Sequence, residues 1–304
     1  MTDNSVHPEM FSLVFPCEQT QIYEHLASLV AYANDRRYEF LDMDVFNEII
    51  RVDPARGQEI YWRELVDRAH FAATVSSVRH FRWINGCLDA ANSGNYLVFC
   101  ASFRGLLEST SDSFDALYRL PMYFAQNRSL ITRIFAREDF GKNIMVAPEV
   151  EQSLIHFSHA RKKVALTKES PAEHRAKRVT EYLQILERGR LPNVMDCYGE
   201  LCEVAHPAAL SLSGYIDVER DKSLTVWRVM SHSDARAIRD FRQRYAPLIE
   251  QLMMFALNPV VLLLYVLDTY PLDRYRCPPV SNLCLDGIPE FLKIVKAFDS
   301  QRTA

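Results

Sequence analysis

Along Tyr96–Leu120, YLVFCASFRGLLESTSDSFDALYRL, the apolar and polar positions fall into two lines. Phe99, Phe103, Leu106, Thr110, Phe114 and Leu117 recur at steps of three and four, one stripe of an α-helix. Beside it Cys100, Arg104, Glu108 and Asp112 recur at steps of four. Leu97, Ala101, Phe103 and Leu107 wall the first half of that second line. Arg104 and Glu108 are therefore expected to be partly buried, where charge has to be paired. Upstream, Gln58–Ala91 carries Trp62, Leu65, Ala69, Ala72, Val75 and Val78 on one side of a long helix. Asn92-Ser-Gly-Asn95 supplies a glycine stop and an asparagine cap, so the two helices form an antiparallel hairpin.

The same patterning divides the remaining chain. Residues 1–17 read as an irregular arm, Glu18–Asn34 and Asp44–Val52 as helices, and Pro54–Gly57 as a turn. Arg119–Gly141 reads as short helical pieces after Pro121. Glu149–Ala165 reads as a helix with Pro148 in its first turn and Arg161, Lys162 and Lys163 at its negative end. A loop over Thr167–Ala172 leads to a polar helix through Glu187. Val194–Ala205 is helical and must end near His206, because the residue before Pro207 is pushed out of the α region. Gly214–Val229 alternates and turns at Asp221-Lys222, a β-hairpin. Ser233 caps a helix over Asp234–Leu257, which Pro259–Tyr270 extends beyond a kink, and Pro289–Phe298 forms a last short helix. The expected fold is all-α, a multi-helix bundle with one small β-hairpin near 214–229. It divides into an acidic N-terminal helical extension (1–57), a bundle core (58–270) and a C-terminal tail (271–304).

Charge changes the picture only locally. The chain as a whole is near balance at −4. Met1–Ile60 holds eleven Asp and Glu against four Arg, whereas His156–Arg190 holds nine Lys and Arg against four Glu. The second segment is either a solvated helix face or a surface facing nucleic acid. Seven cysteines form no C-x-x-C pair and sit mostly in apolar helical stretches, which suits reduced thiols in a cytoplasmic protein. The longest apolar run, Leu252–Leu267, is broken by Asn258-Pro259 and shorter than a membrane span, so it is expected to be a kinked core helix or a subunit interface.

Candidate chemistry gathers on a few positions. Gly105 and Gly199 lie inside helices, where glycine is costly unless another backbone comes close. A crossing of their helices at the two glycines would bring Arg104 and Glu108 near His206. Arg104, Glu108 and Asp112 read as a functional polar line or as a structural ion-pair ladder. His206, at a helix C-terminus, suits a general acid, a phosphate-contacting cation or a plain cap. His156, His159 and Lys163 share a helix face and, with Arg161, suit phosphate contacts. Glu203, His206, His156 and Glu108 are the residues a minor alternative, a metal-dependent helical-bundle enzyme, would use, and the main expectation is that no metal or other cofactor is bound. No glycine-rich phosphate loop, nucleophile elbow or H-E-x-x-H segment is present.

Three segments, SGNYLVFCASFRGLLESTSDS (93–113), LIHFSHARKK (154–163) and YGELCEVAHPAALS (198–211), together resemble a branch of bacterial all-helical proteins related to the HEPN superfamily. The resemblance covers roughly residues 60–270. Its strongest marks are the R-x-x-x-E helix and the Y-x-x-L-C-x-x-x-H-P segment. It implies a helical bundle, often dimeric, in a group where many members are RNA-cleaving toxins or antiviral effectors and others only bind. The metal-independent ribonuclease motif of that superfamily is R-x4–6-H. The one fit here is Arg63-x6-His70, a spacing that chance supplies in a chain with nine histidines. His206 has no arginine five to seven residues before it and so departs from that motif. If the chain cuts RNA, the expectation is His206 as general acid/base, Arg104 as an arginine supplied from another helix to stabilise the phosphorane, and Glu108 as its support. Tyr198, Asp112, His156, His159, Arg161 and Lys163 are then the substrate-contacting set. The competing expectation is a non-catalytic interaction or regulatory subunit, acting as a homo-oligomer or with a partner protein, without membrane attachment.

Overall fold

The computed structural model describes residues 8–138, 144–161, 167, 170–207, 209–281 and 283–302. Its elements are helices except for one two-stranded antiparallel sheet, so the chain is an all-α bundle with a small hairpin. The helices are α1 (Pro8–Ser12), α2 (Thr20–Ala33), α3 (Met43–Val52), α4 (Pro54–Asn92), α5 (Tyr96–Leu117), α6 (Leu120–Gln126) and α7 (Arg128–Phe135). Then come α8 (Pro148–His159), α9 (Val179–Arg188), α10 (Val194–Ala205) and α11 (Ala209–Ser213). The strands β1 (Ile216–Arg220) and β2 (Thr225–Val229) follow, and α12 (Asp234–Arg244), α13 (Ala246–Asp268), α14 (Pro278–Ser281) and α15 (Pro289–Arg302) complete the chain.

The chain forms two compact units, and the three-part division by sequence does not coincide with them. Unit 1 comprises residues 1–27, 78–112 and 178–256; unit 2 comprises 28–77, 113–177 and 257–304. Helices α2, α4, α5 and α13 contribute residues to both. In unit 1, Phe241 meets Phe99 and Phe103 edge to face, with centroids 5.4 and 5.3 Å away. The N-terminal arm also belongs to this core. Phe11 and Phe15 are fully buried, so the segment expected to be irregular folds as α1 and a turn because its aromatics have a place to pack. In unit 2, Trp62, Leu65, Val66, Ala69 and Ala72 of α4 pack with Phe124, Ile131, Leu154 and the Val260–Leu267 stretch of α13.

Several boundaries differ from the sequence expectation, each for a local reason. Pro54 is the first residue of α4 rather than part of a turn, with the Asp53 carboxylate accepting from the Arg56 amide at 3.0 Å. Gly57 is kept because a β-carbon there would lie 2.7 Å from the Ile50 backbone. Gly94 takes φ +62° in the turn after α4, and Asn95 caps α5 through the Val98 amide at 3.1 Å, as the sequence indicates. Helix α8 ends at His159, and α9 begins at Val179, because Arg161 pairs in extended form with Arg175. Ser233 stands at the N-cap of α12 but does not cap it. Its hydroxyl donates instead to the Gly214 and Met230 carbonyls, tying the hairpin to the helix start. The helix break falls at Tyr245, and α13 runs through Pro259 without interruption. Helix α13 is long and apolar enough to cross a bilayer, and 67% of its apolar window is buried, as in a core helix.

Candidate functional site

In unit 1 the end of α4 and the start of α5 lie antiparallel, as successive contacts show. A β-carbon on Gly86 would lie 3.0 Å from Ser102 Oγ, one on Gly105 would lie 2.7 Å from the Trp83 indole, and Arg79 Nη1 meets Asp112 Oδ2 at 2.6 Å. This hairpin fixes the direction of the Arg104–Glu108–Asp112 line. Helix α10 packs with α9 and α11 in the same unit, and buries Val194, Cys197, Leu201 and Val204. Tyr198 and Cys202 follow on the neighbouring face at a spacing of four. Past Ala205 the chain turns extended at His206 (φ −109°, ψ 163°), as the following proline requires, while the His206 amide still donates to the Cys202 carbonyl.

Four side chains meet there. Arg104 Nε donates to Glu108 Oε1 at 2.9 Å, and the Tyr198 hydroxyl donates to the same oxygen at 2.8 Å. The Arg104 guanidinium lies 5.4 Å from the Tyr198 ring centre. Its Nη1 stands 3.4 Å from His206 Nε2. A guanidinium has no acceptor, so in any hydrogen bond between the two Nε2 is the acceptor. The contact is longer than an ordinary hydrogen bond, so Nε2 exchanges it readily for a better donor. Arg104 is partly shielded and His206 exposed. Burial works against the guanidinium charge, but Glu108, Tyr198 and Cys202 together outweigh it and hold the Arg104 pKa above its usual value. Burial, together with donation to Glu108, pushes the Tyr198 phenol well above the usual range.

The sequence-predicted residues separate into three groups. Arg104, Glu108, Tyr198 and His206 come together in unit 1. The glycine-crossing rationale for that approach fails, however. Gly105 admits the Trp83 indole of α4, and a β-carbon on Gly199 would meet nothing within 4 Å. Asp112 lies on the same helix but is committed to Arg79, a partner the pattern did not point out because the pairing runs between helices. His156, His159 and Arg161 belong to unit 2. There His156 Nδ1 contacts the Glu173 carbonyl at 2.8 Å, and His159 stacks on His174 at 5.3 Å. Burial, with His174, Arg68 and Arg161 nearby, lowers the His159 pKa. Lys163 lies outside the described residues.

Among the described residues no three His, Cys, Asp or Glu side chains are gathered as a metal site. The described cysteines are all free, with Cys87, Cys100, Cys197 and Cys277 buried. What the Arg104 cluster can do is bind an anion beside a proton acceptor: a rigidly held guanidinium next to an exposed imidazole. Comparison with protein-family models, curated proteins and solved structures gives no match to the chain.

Proposed function

We propose that the chain binds and cleaves RNA without a metal ion, as a toxin or effector in bacterial antiphage defence. The observation that carries this reading is the 3.4 Å approach of Arg104 Nη1 to His206 Nε2, with Arg104 held from behind by Glu108. His206 Nε2 takes the proton of a ribose 2′-hydroxyl, which attacks the adjacent phosphorus. Arg104 neutralises the charge that builds on the phosphorane oxygens. The imidazolium returns the proton to the departing 5′-oxygen, leaving a 2′,3′-cyclic phosphate and a 5′-hydroxyl. The resemblance to HEPN-like proteins in the segments around Arg104 and His206 supports the same assignment. Purified protein incubated with total RNA in EDTA tests it. Fragments with cyclic-phosphate ends, absent with His206→Ala, are expected; no cleavage by the wild type, or equal cleavage by the variant, removes the reading.

A second reading, a non-catalytic interaction subunit, is favoured by the β-hairpin. Val218 faces Trp227 across it, and Val218, Leu224, Val226, Trp227 and Val229 are all exposed. Two strands alone are marginal in water, so a ribbon with this much apolar surface gains by adding a partner. A homodimer or a stable hetero-complex by light scattering, dissolved by Trp227→Lys, together with no nuclease activity, would establish this reading over the first.

A further inference from the structure

The β1–β2 ribbon of unit 1 is pinned at its base and bare along its length. At the base the Tyr215 hydroxyl donates to Asp234 Oδ1 at 2.9 Å, and the same oxygen accepts from the Tyr96 amide. Ser233 adds its bonds to the Gly214 and Met230 carbonyls. Beyond the base every strand residue except Ile216 is exposed.

The register sorts the side chains into two faces. Paired residues share a face and successive pairs alternate. Ile216, Val218, Trp227 and Val229 therefore lie on one face, with Arg220 and Thr225 at its tip, and Asp217, Glu219, Val226 and Arg228 lie on the other. The charged face closes on itself, with Arg228 Nη2 3.0 Å from Glu219 Oε1. The apolar face is uncovered: Trp227 is 68% exposed and Val229 80%.

Backbone bonds define the two edges. Met230 donates to the Tyr215 carbonyl at 2.7 Å and Asp221 to the Leu224 carbonyl at 2.9 Å. The alternation of an antiparallel ladder then turns the backbone groups of Asp217, Glu219, Val226 and Arg228 inward. Those of Val218 and its neighbours at two-residue steps on β1, and of Thr225, Trp227 and Val229 on β2, point outward. Either edge could add an antiparallel copy of itself about a two-fold axis. On β1 the axis passes through Val218 and sets Asp217 opposite Glu219 of the second copy on both sides, and like charges so opposed are destabilising. On β2 the axis passes through Trp227. Trp227 then meets its own counterpart, Thr225 meets Val229, and Arg228 meets Val226. No like charges oppose there, and an aromatic pair is flanked by β-branched ones. The product is a four-stranded sheet, where two strands alone are marginal in water.

We propose that the chain pairs with a second copy of itself along the outer edge of β2, in the register centred on Trp227. The pairing rests on the interaction reading above and names its partner. Position 226 tests it, because a lysine there faces Glu219 within its own ribbon but Arg228 of the second copy across the edge. Val226→Lys thus favours the ribbon and opposes the pairing, and Val226→Glu has the reverse signs. Sedimentation equilibrium of the full chain from about 1 to 100 µM should show a monomer–dimer equilibrium. Val226→Lys should raise its Kd about tenfold with the circular dichroism spectrum unchanged, and Val226→Glu should dimerise more tightly than Val226→Lys. A dimer indifferent to both substitutions overturns the proposal while leaving the interaction reading to another surface. A chain monomeric throughout overturns it and leaves that reading only a hetero-complex. Species larger than a dimer, the product of head-to-tail addition through β1, also overturn it.

Discussion

Arg104 and His206, 102 positions apart in the chain, bring Nη1 and Nε2 to 3.4 Å. The approach depends on Glu108, whose Oε1 receives both Arg104 Nε and the Tyr198 hydroxyl. A flexible arginine is thereby confined to one orientation. The clamp uses Nε, so lysine cannot reproduce it.

The first expectation follows from that clamp. In single-turnover cleavage of a labelled RNA in EDTA, Arg104→Ala should lower the rate about 10²-fold or more, the scale of losing one charge-stabilising donor. Arg104→Lys should recover little of it. Glu108→Gln, which keeps the acceptor for Tyr198 but weakens the ionic hold, should fall between Arg104→Ala and wild type. If Arg104→Lys cleaves like wild type, the orientation of the guanidinium is irrelevant and the mechanism is wrong.

Two helix glycines separate packing from propensity. Gly199→Ala should stabilise the chain by up to about 1 kcal/mol, since it meets nothing and improves the helix. Gly105→Ala should destabilise by about 1–3 kcal/mol, because its methyl group would lie 2.7–2.8 Å from the Trp83 indole. Urea unfolding of both variants gives the comparison. Stabilisation by both would show that propensity alone governs them.

How far the site was legible in the sequence follows from the same pair of positions. Periodicity placed Arg104 and Glu108 on one helix line, and the His206-Pro207 step placed His206 at a helix end, since both signals are local. Gly105 announced a close neighbour but could not say which, and the neighbour is a side chain from α4. Arg79 was invisible as the partner of Asp112 because nothing in either helix's own pattern registers a pairing made across the hairpin. Helix α1 escaped for a related reason. Five residues show no period, and Phe11 and Phe15 are ordered by the core they enter. The break at Tyr245 carries no proline or glycine, whereas Pro259, the obvious breaker, sits within a helix buried on most sides.

Glu59 offers a third test. Its carboxylate, 2% exposed, lies 2.8 Å from Arg56 Nη1 and 2.5 Å from Arg137 Nε. Arg63 Nε adds a charge contact at 2.9 Å without hydrogen-bond alignment. Removing that negative charge leaves three arginines around a buried amide. Glu59→Gln should cost about 3–5 kcal/mol in denaturant unfolding, the scale of breaking a buried ion pair. A loss below about 1 kcal/mol would class it with surface pairs.

The last test uses two buried groups of unit 2 that titrate in opposite senses. His70 is enclosed, with Nε2 2.9 Å from the Tyr32 hydroxyl and Nδ1 2.7 Å from that of Tyr38. Burial, with Arg36 and Arg274 nearby, lowers its pKa from 6.5 to about 3. Below pH 6.5 the unfolded chain therefore binds a proton there that the folded chain refuses, and stability falls as the pH is lowered toward 3. Asp67 behaves in reverse. It accepts from the Tyr275 hydroxyl at 3.0 Å and pairs with Arg274 Nη2 at 2.8 Å, yet burial outweighs both and raises it from 3.8 to about 6. Its folded form holds the proton more tightly, so its contribution is lost as the pH rises toward 6. Each slope is about 1.4 kcal/mol per pH unit, and the two cancel between about pH 4 and 6. His70→Gln should uncover the Asp67 slope, so that stability rises relative to wild type on acidification across that window. Asp67→Asn should uncover the His70 slope and make the chain more acid-labile there. Urea midpoints measured from pH 4 to 7 decide it: curves for the two variants that run parallel to wild type would mean that neither group keeps its shifted titration.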